Sequence, residues 1–308
     1  NGRKYEITIS KTINLTVETG MLYIAYDVDL EQLYVVTGQV NFATDLLVAW
    51  VLKNQADGII WVAKECHHAS RNVEAHKLHH LETGLAWLSG GDINCTLDNA
   101  SNIGLSLSNP IKVADEDLYF DITEAVTPSE PYEQSLNFAK LPVLVKNADA
   151  EYAQVFNNGV ENFLSDGTRA VYNQVDHTGV GTLVTAPDDT YVCYWLIATT
   201  DQLKPMKLVA GRQAHATLVA AEQEEFTAYD LPMPEIKCFN KIILHVNDTY
   251  SANAAKVVIK KVYQVEERRN YKITYHNELA DRNAANAHTI ESISGLRAEL
   301  DALSGGAG

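Results

Sequence analysis

The chain has 308 residues and a mass of 34.0 kDa, with 40 acidic against 24 basic side chains and a formal net charge of −16. With 46% hydrophobic and 21% charged residues it has the composition of a folded chain, long enough to bury a core in one large or two ordinary domains. The acidic balance argues against nucleic acid as the main partner, and no apolar run approaches the roughly 20 residues needed to span a bilayer.

The N-terminus, Asn1-Gly2-Arg3-Lys4, runs straight into an alternating stretch and has no secretory leader pattern. Across residues 5–17, Ile7, Ile9, Ile13, Leu15 and Val17 share one parity, which predicts a half-buried strand or hairpin. After Gly20, two strands are predicted over 21–28 and 32–36. Residues 46–52 are continuously apolar; the turn at 54–58 and the β-branched run at 59–62 make a buried hairpin the expected arrangement. Turns at Gly90-Gly91 and 102–104 follow. The acidic stretch Asp115-Glu116-Asp117 leads into an alternating strand to residue 122, and Pro128 and Pro131 mark an internal boundary. Further strands are predicted over 141–145, 191–199 (expected to be central), 206–210, 241–246 and 255–265. Pro205, Pro232 and Pro234 sit between these runs, where a sheet protein tolerates proline.

The tail has a different texture. Residues 277–287 are rich in Ala, Asn and Asp, as in a turn-rich or weakly helical connector. Beyond them Ile293, Leu296, Leu300 and Leu303 step by three, four and three, an a/d seam that Ile290 extends. Thr289 is placed to cap such a helix, and Gly295 within it costs about 1 kcal/mol of propensity. Two heptads, roughly 20 Å of helix, do not associate alone in water, so the seam needs chains already held together. The other expectation is an amphipathic helix docked on its own domain. The missing initial Met and the terminal Ser-Gly-Gly-Ala-Gly fit a segment of a longer chain with a flexible linker at 304–308. The expected fold class is mainly β, with one or two sandwich- or jelly-roll-like domains and a short C-terminal coiled-coil helix. The expected boundaries are 1–127, 128–270, a connector at 271–288, the helix at 289–303 and the linker.

Chemistry-bearing patterns are few. Cys66, Cys95, Cys193 and Cys238 are widely spaced and form no CxxC pair, which disfavours a zinc ribbon or a thioredoxin-like motif; mostly buried free thiols are expected, as suits a reducing compartment. Five of the ten histidines fall between residues 67 and 80. On a helix, His76 and either His79 or His80 would share a face and could ligate a metal, with Glu74 or His68 as a third ligand; the alternative is a polar loop. HExxH, GxSxG, EF-hand and Gly-rich phosphate-loop patterns are absent. Asp115-Glu116-Asp117, Asp176-His177-Thr178-Gly179 and Asp188-Asp189 are expected to be solvated loops and turns. No catalytic residue and no cofactor are predicted. Fifteen tyrosines, more than Phe and Trp together, suit strand packing and also carbohydrate platforms.

The segment from Tyr275 to Leu296, with His276, Leu279, Asp281, Arg282, His288, Ile293, Gly295 and Leu296, resembles a stretch found repeatedly in bacteriophage tail-fibre and baseplate proteins. It departs from them in Ala-Asp-Arg-Asn for a Gly-Arg-Asp-like turn and in Thr289 where proline is usual. The His-rich stretch with the Leu81-Glu-Thr-Gly84 turn, Ala114 to Leu118, Leu141 to Val145, Val171-Tyr172-Asn173, Ile197 to Asp201, Lys207 to Gln213 and Leu231 to Glu235 are similar to further pieces of that family. They occur in the expected order over roughly residues 50–300.

The resemblance implies a non-enzymatic tail component whose segment 271–288 joins a globular part to a trimeric shaft. His276, Asp281, Arg282 and His288 are then structural, and Ile290, Ile293, Leu296, Leu300 and Leu303 form the trimer seam. The implied partners are two further copies of the chain and other tail or baseplate proteins, in a virion assembled in the host cytoplasm. Neither nucleic acid nor membrane insertion is implied. Two alternatives stand beside it: a receptor-binding adhesin stacking exposed Tyr and Trp on host glycan, and a polysaccharide depolymerase using paired carboxylates. No short repeat of the β-helix depolymerase kind is present.

Overall fold

The structure, a computed structural model, describes residues 11–15, 19–27, 29–36, 46–64, 85–115, 118–157, 161–226, 231 and 236–265. The chain divides into two units at Arg269/Asn270, and all of the second lies outside the described residues. The expected connector, coiled-coil helix and linker therefore lie outside them too.

The described chain is mainly β. Strands β1 (Gly20–Asp27), β2 (Gln32–Val36), β3 (Leu46–Asn54) and β4 (Gly58–Lys64) form an antiparallel sheet in the order β2-β1-β3-β4. A second sheet contains β5 (Leu85–Ser89), β8 (Ile111–Asp115), β9 (Leu118–Glu124) and β10 (Glu133–Gln134), ordered β10-β9-β8-β5. The small ladder of β6 (Ile93–Asn94) and β7 (Ser106–Leu107) lies within its β5–β8 connection. The largest sheet has six strands: β11 (Pro142–Lys146), β12 (Tyr152–Phe156), β15 (Thr190–Thr199), β16 (Met206–His215), β17 (Ile236–Val246) and β18 (Val257–Gln264). Their order is β12-β11-β16-β15-β17-β18, with β11 and β16 the one parallel pair among them. Strands β13 (Val171–Val175) and β14 (Gly181–Thr185) make a separate hairpin, and α1 (Leu218–Gln223) is a short helix capped by the Thr217 side chain.

The six-stranded sheet is the middle layer because its central strands are apolar at both parities. In β15, Val192, Tyr194, Leu196 and Ala198 join one core cluster, while Cys193, Trp195 and Ile197 join another on the opposite face. A strand buried on both sides reads as a continuous hydrophobic run, which is why residues 191–199 stand out in the sequence. The first cluster packs this sheet on the second one through Leu85, Trp87, Ile111, Val113, Phe120 and Ile122. The second packs it on the first sheet through Trp50, Leu52, Trp61 and Ala63, and on α1 through Ala221. A third, smaller cluster covers the outer side of the first sheet with Leu22, Ile24 and Val51.

The layers are locked at identifiable points. Trp87 stacks on Phe239 with ring centroids 4.4 Å apart, and its Nε1 donates to Gly90 O at 2.8 Å. Gly90 has φ +73°, and a Cβ there would lie 2.0 Å from the Pro110 carbonyl oxygen, so both conformation and space require glycine.

Several expectations meet the structure directly. The predicted hairpin at 46–62 is the β3–β4 pair, and the predicted strands at 21–28, 32–36 and 141–145 are β1, β2 and β11 within a residue or two. The alternating stretch at 5–17 is described only over residues 11–15, which carry no strand ladder; Ile13 and Leu15 nonetheless pack on the third cluster. At the expected boundary near 127/128, β10 pairs in parallel with β9, and one core draws Phe120 and Ile122 from before it and Leu136, Phe138 and Leu141 from after it. Among the described residues no helix is long and apolar enough to cross a membrane.

Candidate functional site

The polar chemistry of the body gathers on one face of the middle sheet, beneath α1. An irregularity makes it. The β15–β16 register jumps from Val192↔Ala214 to Tyr194↔Ala210, so that Cys193 faces the extra residues of a bulge in β16. Gly211 lies in that bulge; a Cβ there would sit 2.5 Å from the Cys193 carbonyl oxygen, so the close approach needs glycine. Past the bulge, β16 ends at His215, whose partner on β15 is Tyr191. The chain then turns through Thr217 into α1 and returns at Glu224, the residue that closes the helix.

Cys193, His215 and Glu224 thus converge from two adjacent strands and a helix end, with one ligand-type atom of each within 4.8 Å of the others. His215 Nε2 is 2.7 Å from Glu224 Oε2, and Glu224 Oε1 accepts from the Arg212 backbone N–H at 3.0 Å. The Cys193 thiol donates to Ala221 O at 3.4 Å. Burial raises its pKa far above the ordinary thiol range, and the Glu224 charge adds to this. Lys241 reaches across from β17 to the end of α1, where its Nζ donates to Ala221 O at 2.6 Å, to Glu222 O at 3.0 Å and to Glu224 O, while lying over the Trp195 ring. A buried ammonium spread over three carbonyls holds the backbone that carries Glu224 in place. Beside this cluster opens a cleft of about 580 Å³, lined by Trp195, Phe226, Cys238, Lys241, Tyr263 and the three glutamates Glu222, Glu224 and Glu225.

A second buried polar contact lies further along the same face. Lys207 Nζ is 2.5 Å from Asp201 Oδ2, with side chains 0% and 3% exposed, and it lies 4.9 Å from the centre of the Trp61 ring. Burial lowers the Lys207 pKa and the Asp201 carboxylate opposes that shift. The contact seats the first sheet on the middle one: Ala63 bridges Asp201, and Gln202 N–H donates to Val62 O at 3.2 Å.

The residues singled out in the sequence fall elsewhere. His76, His79 and His80, with Glu74 and His68, lie outside the described residues, as do His276, Asp281, Arg282 and His288 and the seam Ile290, Ile293, Leu296, Leu300 and Leu303. Asp176 is a turn residue between β13 and β14, its Oδ1 accepting from the Thr178 N–H and hydroxyl and from the Val180 N–H. Asp188 and Asp189 are also turn residues, and they brace the end of β17 and the chain just after it: Asp189 Oδ1 lies 3.0 Å from His245 Nε2, and Asp188 Oδ1 accepts from Asp248 N–H at 2.7 Å. Of the cysteines, Cys95, Cys193 and Cys238 are free and the last two buried.

The Cys193–His215–Glu224 cluster has no signature in the sequence, because its members are spaced 22 and 9 positions apart in no recurring pattern and meet only through the bulge and the return of α1. The one local signal is Thr217 before an apolar turn ending in Glu-Gln-Glu-Glu, which marks a helix start. No protein-family description, no curated protein and no solved structure matches the chain.

Proposed function

We propose that the chain is a structural component of a bacteriophage tail, a fibre or baseplate part whose β body is held as a trimer through the segment that follows it. The observation that carries the reading is the ordered run of tail-protein-like pieces along residues 50–300, ending in the 275–296 stretch and the Ile290–Leu303 seam. The fold is of a kind that suits the role. Three stacked sheets with both faces of the middle one covered give a stiff body, and all four tryptophans, Trp50, Trp61, Trp87 and Trp195, are core residues.

That placement bears on the adhesin alternative, since all four tryptophans are in the core and, among the described residues, the exposed aromatics are side chains such as Tyr119, Phe156 and Tyr263. The charge fits a solvated scaffold: three chains carry three times −16, or −48, which favours solubility and disfavours contact with anionic surface polysaccharide.

A closed cyclic assembly makes a sharp prediction. Light scattering on the purified chain is expected to return three times 34.0 kDa. Leu296→Asp with Leu300→Asp is expected to yield monomers whose β body keeps its circular dichroism and unfolding midpoint. A monomeric parent chain at micromolar concentration, or an intact trimer in the double variant, overturns the reading.

A further inference from the structure

We infer that Cys193, His215 and Glu224 form a binding site for one thiolate-seeking divalent metal ion, of which Zn²⁺ is the natural occupant. The three donors are a sulfur, an imidazole nitrogen and a carboxylate oxygen, the mixture that zinc accepts in tetrahedral sites and that calcium and magnesium do not. Their mutual spacing, all within 4.8 Å, is that of atoms which could share one ion after small rotations. The shortest pair, 2.7 Å from His215 Nε2 to Glu224 Oε2, has only to open by a few tenths of an ångström.

Burial and support match a built site. The side chains of His215 and Glu224 are 6% and 7% exposed, and Cys193 is fully buried. Glu224 is held on both sides, by the Arg212 N–H on Oε1 and by Lys241 on its own carbonyl, which leaves Oε2 to face the imidazole. Such outer contacts fix a ligand's orientation before the ion arrives. One thiolate and one carboxylate balance the 2+ charge. Binding replaces the S–H and ring-nitrogen hydrogen bonds of the metal-free cluster with metal–ligand bonds, the thiol proton passing to solvent and the neutral imidazole coordinating through Nε2 with its proton on Nδ1. Glu224 also lines the cleft, so the fourth coordination position can be filled by water from that side. The ion would tie β15, β16 and the end of α1 together, a role independent of the tail reading.

The His-rich stretch and Cys66 are a competing sink for metal, and the test must separate the two. Co²⁺ titrated into the full chain under reducing conditions is expected to give a near-ultraviolet thiolate-to-cobalt charge-transfer band saturating at one ion per chain and bleached by Zn²⁺. Cys193→Ser is expected to abolish the band. His215→Gln and Glu224→Gln are expected to weaken Zn²⁺ binding by at least roughly tenfold, since removing a ligand costs no less than removing an outer-shell partner. Cys66→Ser, and the triple change of His76, His79 and His80 to Ala, are expected to leave the band in place. Unfolding curves without metal show that each variant is folded. A band absent from the parent chain, retained in Cys193→Ser, or lost in Cys66→Ser overturns the assignment.

Discussion

The two faces of the middle sheet draw on the same three strands and each carries an apolar cluster, but they differ in the polar groups set among it. Toward the second sheet, β15, β16 and β17 present Val192, Tyr194, Leu196, Leu208, Ile242 and Leu244, and polar atoms there serve the backbone: the Tyr194 hydroxyl donates to Val171 O at 2.7 Å, and the Gln134 amide both donates to and accepts from the main chain of Met206. Toward the first sheet and α1, alternate residues of those strands include Lys207, Lys241, Cys193 and His215, charged or ligand-type groups tied to Asp201, to helix-end carbonyls and to Glu224. The apolar face supplies bulk stability, roughly 1.5–3 kcal/mol for each fully buried large aliphatic side chain. The polar face gains little net energy from its ion pair, because desolvation consumes much of the attraction, and what it supplies instead is a unique seating for the layers above.

If so, the polar face should break hardest when one partner is removed, and mend when both are. Asp201→Ala leaves Lys207 without its counter-charge at a site 0% exposed, and a loss of about 3–5 kcal/mol is expected from urea unfolding. Asp201→Ala combined with Lys207→Met should recover most of that loss, because a Met side chain needs no counter-charge against Trp61. A single-substitution cost below about 1 kcal/mol, or a double variant no better than the single, would show that the pair does not seat the sheet.

The apolar face should behave in the opposite way. Leu196→Ala, at a fully buried position, is expected to cost about 3 kcal/mol, within the usual range for deleting a buried Leu side chain. No second change on the polar face should offset it. Recovery in a Leu196→Ala variant that also carries Asp201→Ala and Lys207→Met would mean that the two faces are not energetically separate.

The same contrast explains what could be read from the sequence. Apolar runs and turns announce themselves: the continuous run in β15, buried on both faces, and the β3–β4 hairpin around residues 54–58 follow from burial and turn chemistry. The strands that run longer than their apolar cores predict are β16 and β17, where polar residues interrupt the pattern. The strand predicted over 206–210 stops short of β16, which continues through the bulge at Gly211, Arg212 and Gln213 and resumes pairing to His215. The strand predicted over 241–246 is the second part of β17, which begins at Ile236; Lys237 and Asn240, polar residues with no local sign of burial, lie inside it. Lys207 lies in a run correctly read as strand, yet nothing local tells that it is inside, since its counter-ion is six residues away across a loop. Helix α1, six residues long and held by tertiary contacts, is shorter than any period can establish.

Charge pairs at the surface of the body give the smallest expected effect and show what burial adds to the pairs within. Asp248 accepts from Arg169 at 2.5 Å and 3.0 Å and from Lys256 at 2.7 Å, with about half of its side chain exposed. The Arg169 hydrogen bonds, then those from Lys256, hold its carboxyl well below the usual carboxylate range. Because the folded pKa is depressed, the stabilisation is present above the unfolded aspartate value and is lost as pH falls through and below that value. Comparing unfolding midpoints between about pH 6 and about pH 3, the parent chain is expected to lose slightly more stability than Asp248→Asn, and molar salt should narrow the gap by screening an exposed pair. Equal acid slopes in the two proteins would show that Asp248 contributes nothing through its ionised form. A gap that survives molar salt would place this cluster with Lys207–Asp201, among pairs shielded from solvent, and would blur the distinction between the exposed and the buried charges of the fold.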